Sequence, residues 1–144
     1  MKTHIGIVVS SFNDFITKRL LNACLMELHK AGLGDDQMTV VWVPGSLEIP
    51  VTALKLARRK KINAVICLGA VIRGETYHFE VVSNECARGM MEVSLISGKP
   101  VIMGVLTTDT VAQAQARAGG KGGHNKGRDA ARTALEMIAL LKLI

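Results

Sequence analysis

His78 stands in the run Gly69-Ala70-Val71-Ile72-Arg73-Gly74-Glu75-Thr76-Tyr77-His78-Phe79-Glu80, which places an imidazole beside two carboxylates and a hydroxyl. An imidazole titrates near neutrality, and carboxylates next to it can orient or charge it, so the grouping suits general acid-base chemistry. A lone loop histidine is more often a surface residue with no role, so its surroundings must decide. His4 at a strand start, His29 on a helix surface and His124 among glycines have weaker settings. No second histidine or cysteine stands at ligand spacing from His78, which disfavours a metal site. Ser46 lies in Pro44-Gly45-Ser46-Leu47-Glu48, without the GxSxG elbow of a serine nucleophile.

The second chemical signal is the stretch from Arg117 to Gly127, where Arg117, Lys121 and Lys126 are threaded through glycines, with Arg128 following. Small residues expose backbone N–H groups and cations add charge, as in anion-binding loops. Composition alone slightly favours a mobile, solvated connection. A guanidinium at a helix end shifts that balance, because arginine grips phosphate in a bidentate fork, and Arg117 is the residue placed to do so. The stretch is not a Walker A loop, since neither Lys121 nor Lys126 precedes Ser or Thr, and no GxGxxG follows the first strand.

These residues need elements to hold them. The chain has 144 residues, the size of one domain, so residues 1–144 are expected to share one core. Apolar residues make up 49% and charged residues 21%, enough apolar area to offset chain entropy. Apolar segments at 4–10, 38–43, 64–69 and 100–106 read as buried strands. Helical spacing links Ile16, Leu20, Leu21, Cys24, Leu28 and Ala31, ending at Gly32 and Gly34. Further helices are expected at 50–60, 80–97, 110–118 and 128–143. Strand and helix alternate, which predicts an α/β fold: a three-layer α/β/α sandwich around a parallel, flavodoxin-like sheet of four strands.

Ligands of open parallel sheets bind outside the carboxyl ends of the strands. That rule selects the loops 10–13, 44–48, 70–79 and 107–110. Phe12, Tyr77 and Phe79 fall in them and Trp42 just precedes one, leaving only Phe15 as plain helix packing. Such rings suit a flat heterocycle, although each alone could be ordinary packing. The charge of +6 favours anionic partners, but Arg58-Arg59-Lys60-Lys61 falls at a helix end, where cations complement the dipole. Cys24, Cys67 and Cys86 lack CxxC spacing and read as core residues. No apolar run or leader pattern suggests a membrane segment, so the cytoplasm is the expected location. The residues alone thus give an α/β domain with a histidine-bearing cleft and a basic loop, and they leave the reaction open.

Along nearly its whole length the chain resembles the lumazine synthase family. The resemblance is carried by Ser11-Phe12-Asn13-Asp14-Phe15-Ile16, by Trp42 to Pro50, by Gly69 to Glu80, by Gly104-Val105-Leu106-Thr107-Thr108-Asp109 and by Arg117-Ala118-Gly119. It implies a transferase of riboflavin biosynthesis, a 6,7-dimethyl-8-ribityllumazine synthase. The substrates would be 5-amino-6-(D-ribitylamino)uracil and 3,4-dihydroxy-2-butanone 4-phosphate, the co-products phosphate and water, and the next enzyme riboflavin synthase. By position, Phe12 would stack on the pyrimidinedione and Ser46, Leu47 and Glu48 would bind the ribityl side. Ala70, Val71 and Ile72 would hold the ring edge through backbone groups. Glu75 and Thr76 would contact the butanone phosphate, Arg117 would pair with its phosphate and His78 would move protons, with Lys126 in support. No metal or organic cofactor is implied.

The chain departs from the family at three places. Ser11 replaces a common arginine, Met103 stands where many members carry phenylalanine near the ring, and His124 lengthens the glycine-rich loop by one residue. The resemblance also implies a homopentamer with sites between neighbouring subunits, to which Arg117 and Met103 would reach across; many members build a sixty-subunit shell. The chain starts almost at its first strand, without the N-terminal extension that often pairs with a neighbour, which favours the pentamer. The helix from residue 80 to 97, with Ala87, Gly89, Met90 and Met91, is a candidate interface. One alternative is a nonenzymatic flavin- or lumazine-binding protein on the same fold; it would need neither Arg117 nor His78. Another is nucleic-acid binding through 117–132, which lacks aromatic interleaving and any recognised motif, so no nucleic acid and no membrane is expected as partner.

Overall fold

The computed structural model describes residues 2–120 and 122–144. In chain order the elements are β1 (Ile5–Ser10), α1 (Asp14–Lys30), β2 (Met38–Val43), α2 (Ile49–Ala57), β3 (Ala64–Ile72), α3 (His78–Ser97), β4 (Val101–Thr108), α4 (Val111–Ala116) and α5 (Lys126–Leu141). Short 3-10 turns at Asp35–Gln37 and Ser46–Glu48 lead into β2 and α2 respectively. The four strands form one parallel sheet in the order β2-β1-β3-β4. This is the expected α/β/α sandwich.

Both faces of the sheet are covered, which is why its central strands are apolar without alternation. Ile5, Ile7 and Val9 of β1 join Ile66 and Leu68 of β3 in a core closed by Ile16, Leu20 and Leu28 of α1 and Ala130, Ala131 and Ala134 of α5. On the other face Val8, Val65 and Cys67 meet Ile49, Ala53 and Leu56 of α2 and Cys86, Met90 and Val93 of α3. All three cysteines are buried and free. Burial pushes the Cys24 thiol up to about 12 and the Cys86 thiol up to about 11, as suits core residues rather than nucleophiles. No described helix is long and apolar enough to cross a membrane.

Several element ends differ from those expected, each for a local reason. β3 continues three residues past Gly69 because Ala70, Val71 and Ile72 pair with Leu106, Thr107 and Thr108 of a correspondingly longer β4. α2 stops at Ala57, with Arg58 as its C-cap, so the basic cluster follows the helix and faces its carbonyl end. α3 begins at His78, two residues early, and ends at Gly98, whose φ of 68° is the left-handed stop that favours glycine. α4 is trimmed to Val111–Ala116 by a capping box, in which the Thr110 hydroxyl accepts from Gln113 N–H and Gln113 reaches back. α5 starts two residues early because the Asn125 side chain accepts from the N–H groups of Gly127 and Arg128.

The two helices on one face, α1 and α5, touch at backbone distance. A Cβ at Gly127 would lie 2.0 Å from the Leu20 carbonyl oxygen, so only glycine lets them approach. Farther along, Arg132 Nε donates to Glu27 Oε1 at 2.8 Å across the same pair. Backbone cannot give way as a side chain can, so Gly127→Ala should destabilise by at least about 2 kcal/mol. Thermal melts should show this as a drop of several degrees. An unchanged melting temperature would show that α1 and α5 do not depend on this contact.

Candidate active site

A cleft of about 550 Å³ opens at the carboxyl ends of β1, β2 and β3. The strand order reverses there: the chain runs from β1 out to β2 and then crosses back to β3 on the far side of β1. Loops leaving β1 and β3 diverge at such a point and open a crevice. The cleft is lined by Phe12, by 44–48, by 70–72, by Gly74 and Thr76, and by His78, Phe79 and Val82.

β1 pairs with β3 only as far as Val9 and Leu68, whereas β3 stays paired with β4 to Ile72. Residues 70–72 therefore present to the cleft a backbone edge that no strand covers. They belong to the strand and not to a loop, which corrects the expectation for Ala70, Val71 and Ile72. One group on this edge is already used: Asn13 Nδ2 donates to Ala70 O at 2.8 Å. Asn13 takes a left-handed conformation, φ 61° and ψ 43°, at the start of α1. Ahead of it, Ser11 N–H and Phe12 N–H donate to Val43 O and Pro44 O at 2.8 and 3.0 Å. These bonds hold the first loop and leave the Phe12 ring 71% exposed at the cleft mouth, free to stack on a ligand.

The second loop turns at Gly45, where Glu48 N–H donates to Gly45 O at 3.1 Å, and carries Ser46 inward and Leu47 and Glu48 to the cleft. Ser46 packs against the chain at Gly69, where a Cβ would lie 3.0 Å from Ser46 Oγ and 3.1 Å from Ser10 Oγ. The buried Ser10 hydroxyl has no hydrogen-bond partner among the described residues. Gly69 thus admits two hydroxyls beneath the cleft floor.

His78 is not in a loop but opens α3, exposed to the cleft. Its backbone N–H makes a long 3.4 Å bond to Thr76 Oγ1. The expected flanking carboxylates are elsewhere: Glu75 does not line the cleft, and Glu80 accepts from Arg73 Nη1. Arg73 Nε donates to Asp109 Oδ1 at 2.7 Å, and its guanidinium lies 4.4 Å from the Phe79 ring centroid. Asp109 first, and Glu80 second, hold the guanidinium above its ordinary pKa; Arg73 in turn holds the Glu80 carboxyl below the usual carboxylate range. Of the lining residues, Val82 alone lies outside the loops that the sequence selected. Val82 lies one helical turn after His78, a spacing visible once the helix is begun at His78.

Arg117, Met103 and Lys126 do not line this cleft. Arg117 is the exposed C-cap of α4, its Nη1 donating to Gln113 O at 2.9 Å; Met103 is exposed on the edge strand β4. Lys126 is the first residue of α5, its N–H donating to Arg117 O at 2.8 Å. The described part of the glycine-rich stretch between them is held by hydrogen bonds of its own. Gly119 N–H donates to His124 O, Gly120 N–H to Gln115 O and Gly123 N–H to Gly120 O, while Arg19 Nη2 donates to Gly119 O at 3.1 Å. These bonds use the amides of Gly119, Gly120 and Gly123, and Lys121 lies outside the described residues. Of the aromatic set only Phe12 and Phe79 line the cleft; Tyr77 and Trp42 are exposed outside it, and Phe15 is half-exposed on α1.

Among the described residues, the lining side chains carry one carboxylate, Glu48, one imidazole, His78, and no lysine or arginine. Comparison with known proteins adds one finding: the family model described as 6,7-dimethyl-8-ribityllumazine synthase matches residues 2–142.

The Arg73–Glu80 pair sets a pH dependence. A carboxyl lowered by its partner adds stability that is complete above the ordinary glutamate value, about 4.3, and is lost as pH falls through the lowered one. Melting temperatures of the native chain and of Glu80→Gln should therefore differ by a small, constant amount above about pH 5 and converge as the pH falls through the lowered value. A difference that grew on acidification would contradict the pairing.

Proposed function

This chain belongs to the 6,7-dimethyl-8-ribityllumazine synthase family of riboflavin biosynthesis, and we propose that it condenses 5-amino-6-(D-ribitylamino)uracil with 3,4-dihydroxy-2-butanone 4-phosphate, giving the lumazine, phosphate and water. The observation that carries this reading is the makeup of the cleft: a free ring, an uncovered backbone edge, one carboxylate and one imidazole gathered at the strand ends. Phe12 stacks on the pyrimidinedione, whose ring N–H and C=O groups meet the backbone of Ala70, Val71 and Ile72. Ser46, Leu47 and Glu48 take the ribityl chain, with the Glu48 carboxylate accepting from its hydroxyls.

The aromatic amine attacks the ketone carbon and one water leaves as the imine forms; phosphate departs, and the ribitylamino nitrogen closes the ring on the remaining carbonyl carbon with loss of a second water. Each stage moves protons at atoms near His78, so positioning and proton transfer carry the reaction. Thr76, on the cleft wall, contacts the phosphorylated substrate. A phosphate dianion in a cleft without a lysine or arginine would be poorly compensated, and Arg73 is already engaged by two carboxylates. Arg117 of a neighbouring copy supplies the missing cation, Lys126 supports it, and Met103 of that copy reaches the ring side. The working form is accordingly a cytoplasmic homopentamer, for which Met91, Leu95 and Ile96, exposed on α3, offer apolar surface.

Product formation is read directly from lumazine fluorescence after mixing both substrates with the protein. His78→Ala should lower kcat roughly 100-fold or more and leave substrate binding nearly unchanged. Arg117→Ala should raise KM for the phosphorylated substrate about tenfold or more. Co-assembling the two variants should restore part of the activity, because some interfaces then join an intact cleft to an intact Arg117. Binding without turnover, or native kinetics in both variants, would refute the assignment.

A further inference from the structure

We propose that Arg73 is a positioning residue for His78, tying the start of α3 to the end of β3 and to the β4–α4 connection so that the imidazole keeps its place in the cleft. The proposal rests on the reading of His78 as the proton carrier. The need for such a device is visible in α3 itself. Its N-cap position is Tyr77, which makes no side-chain cap bond, and the His78 N–H has only the long contact with Thr76 Oγ1. An N-terminus without a cap leaves its first amides unpartnered and its first turn prone to fray. A histidine in that turn would share the fraying.

Arg73 supplies an anchor from three directions. Its own N–H donates to Thr108 O at 2.9 Å, extending the β3–β4 pairing by one residue. Its side chain donates to Glu80 in the first turn of α3 and to Asp109 just after β4, and it covers the Phe79 ring. Phe79 and Glu80 directly follow His78, so holding both fixes the backbone that carries the imidazole. The same ion pair keeps the Glu80 carboxylate on the guanidinium and so withholds it from His78, and Arg73 favours its charged form. Lysine cannot replace this geometry, because one ammonium lacks the planar fork and the stacking face.

Magnitudes separate positioning from stability. The side chains of Arg73 and Asp109 are substantially exposed, and exposed ion pairs contribute little to folding. A displacement of about 1 Å at a reacting group can nonetheless cost about 100-fold in rate. Arg73→Gln should therefore lower kcat roughly 10- to 100-fold while KM for either substrate moves less than about threefold and the melting temperature stays within a few degrees.

A double-mutant cycle tests the route. In a His78→Gln background, Arg73→Gln should change kcat by less than about twofold, because its effect acts through the imidazole. A full multiplicative loss there, or a native kcat for Arg73→Gln beside a crippled His78→Gln, would overturn the proposal and leave the function standing. A native kcat for His78→Gln would instead remove the role of His78, and this proposal with it. If Arg73→Gln does not fold, Glu80→Gln combined with Asp109→Asn releases the same guanidinium, and the same cycle with His78→Gln decides.

Discussion

The parallel pairing of β3 with β4 runs four residues beyond the point where β3 parts from β1, and most of the site depends on that difference. Up to Leu68 the strand is an ordinary central strand, saturated on both edges and buried on both faces. Past it, β4 still holds one edge while the other lies open. The open edge is rigid because its opposite edge is bonded, and it faces the crevice made by the reversal of strand order. Asn13 crosses from the first loop to reach it, Ser46 closes beneath it at Gly69, and Arg73 prolongs its pairing before turning back onto α3. A shorter β4 would leave residues 70–72 as a loop and remove the shelf.

Charge is distributed so that the net value of +6 says little about the cleft. Arg58 caps α2 with Arg59, Lys60 and Lys61 behind it, Arg132 is bound to Glu27, and Arg73 is bound to Asp109 and Glu80. These cations complement helix ends or balance carboxylates. Arg117 differs: among the described residues its guanidinium is tied only through Nη1 to the Gln113 carbonyl, at the end of a helix that a capping box holds in place. The loop beyond it is braced on α1 by Arg19 and by the close approach of Gly127 to Leu20. Of its glycines, Gly127 serves the packing of α5 against α1.

The layers follow from patterns that a sequence displays openly. β1 and β3 are apolar at nearly every position, and Leu20, Cys24 and Leu28 recur at helical spacing, because each segment meets its neighbours repeatedly along its length. Phe12, Ser46, Leu47, Glu48, Thr76 and His78 were legible because the loops after parallel strands converge whatever their sequences. What was not legible depended on single contacts. Nothing in the spacing of Arg73, Glu80 and Asp109 announces that they join, so Glu80 reads from sequence as a partner of His78 when it belongs to Arg73. The start of α3 was equally hidden, since Tyr77 is not a capping residue and no Pro marks the turn. Arg117 was singled out by its residue type and place at a helix end and Met103 by the family resemblance, and that neither lines the cleft could not be read from one chain's order.

Asn13 combines two requirements that few residues satisfy together. Its φ of 61° excludes branched side chains on steric grounds and favours glycine, asparagine or aspartate. Its bond to the Ala70 carbonyl demands a donor, which glycine lacks and an ionised aspartate would oppose with a second acceptor. The two filters act in series and leave asparagine nearly alone. Drift in sequence can therefore pass easily through the exposed positions on either side, Phe12 apart, while this one position records the backbone geometry of the whole first loop. In a redesigned chain, the residue allowed at position 13 would serve as a readout of whether that loop had kept its shape.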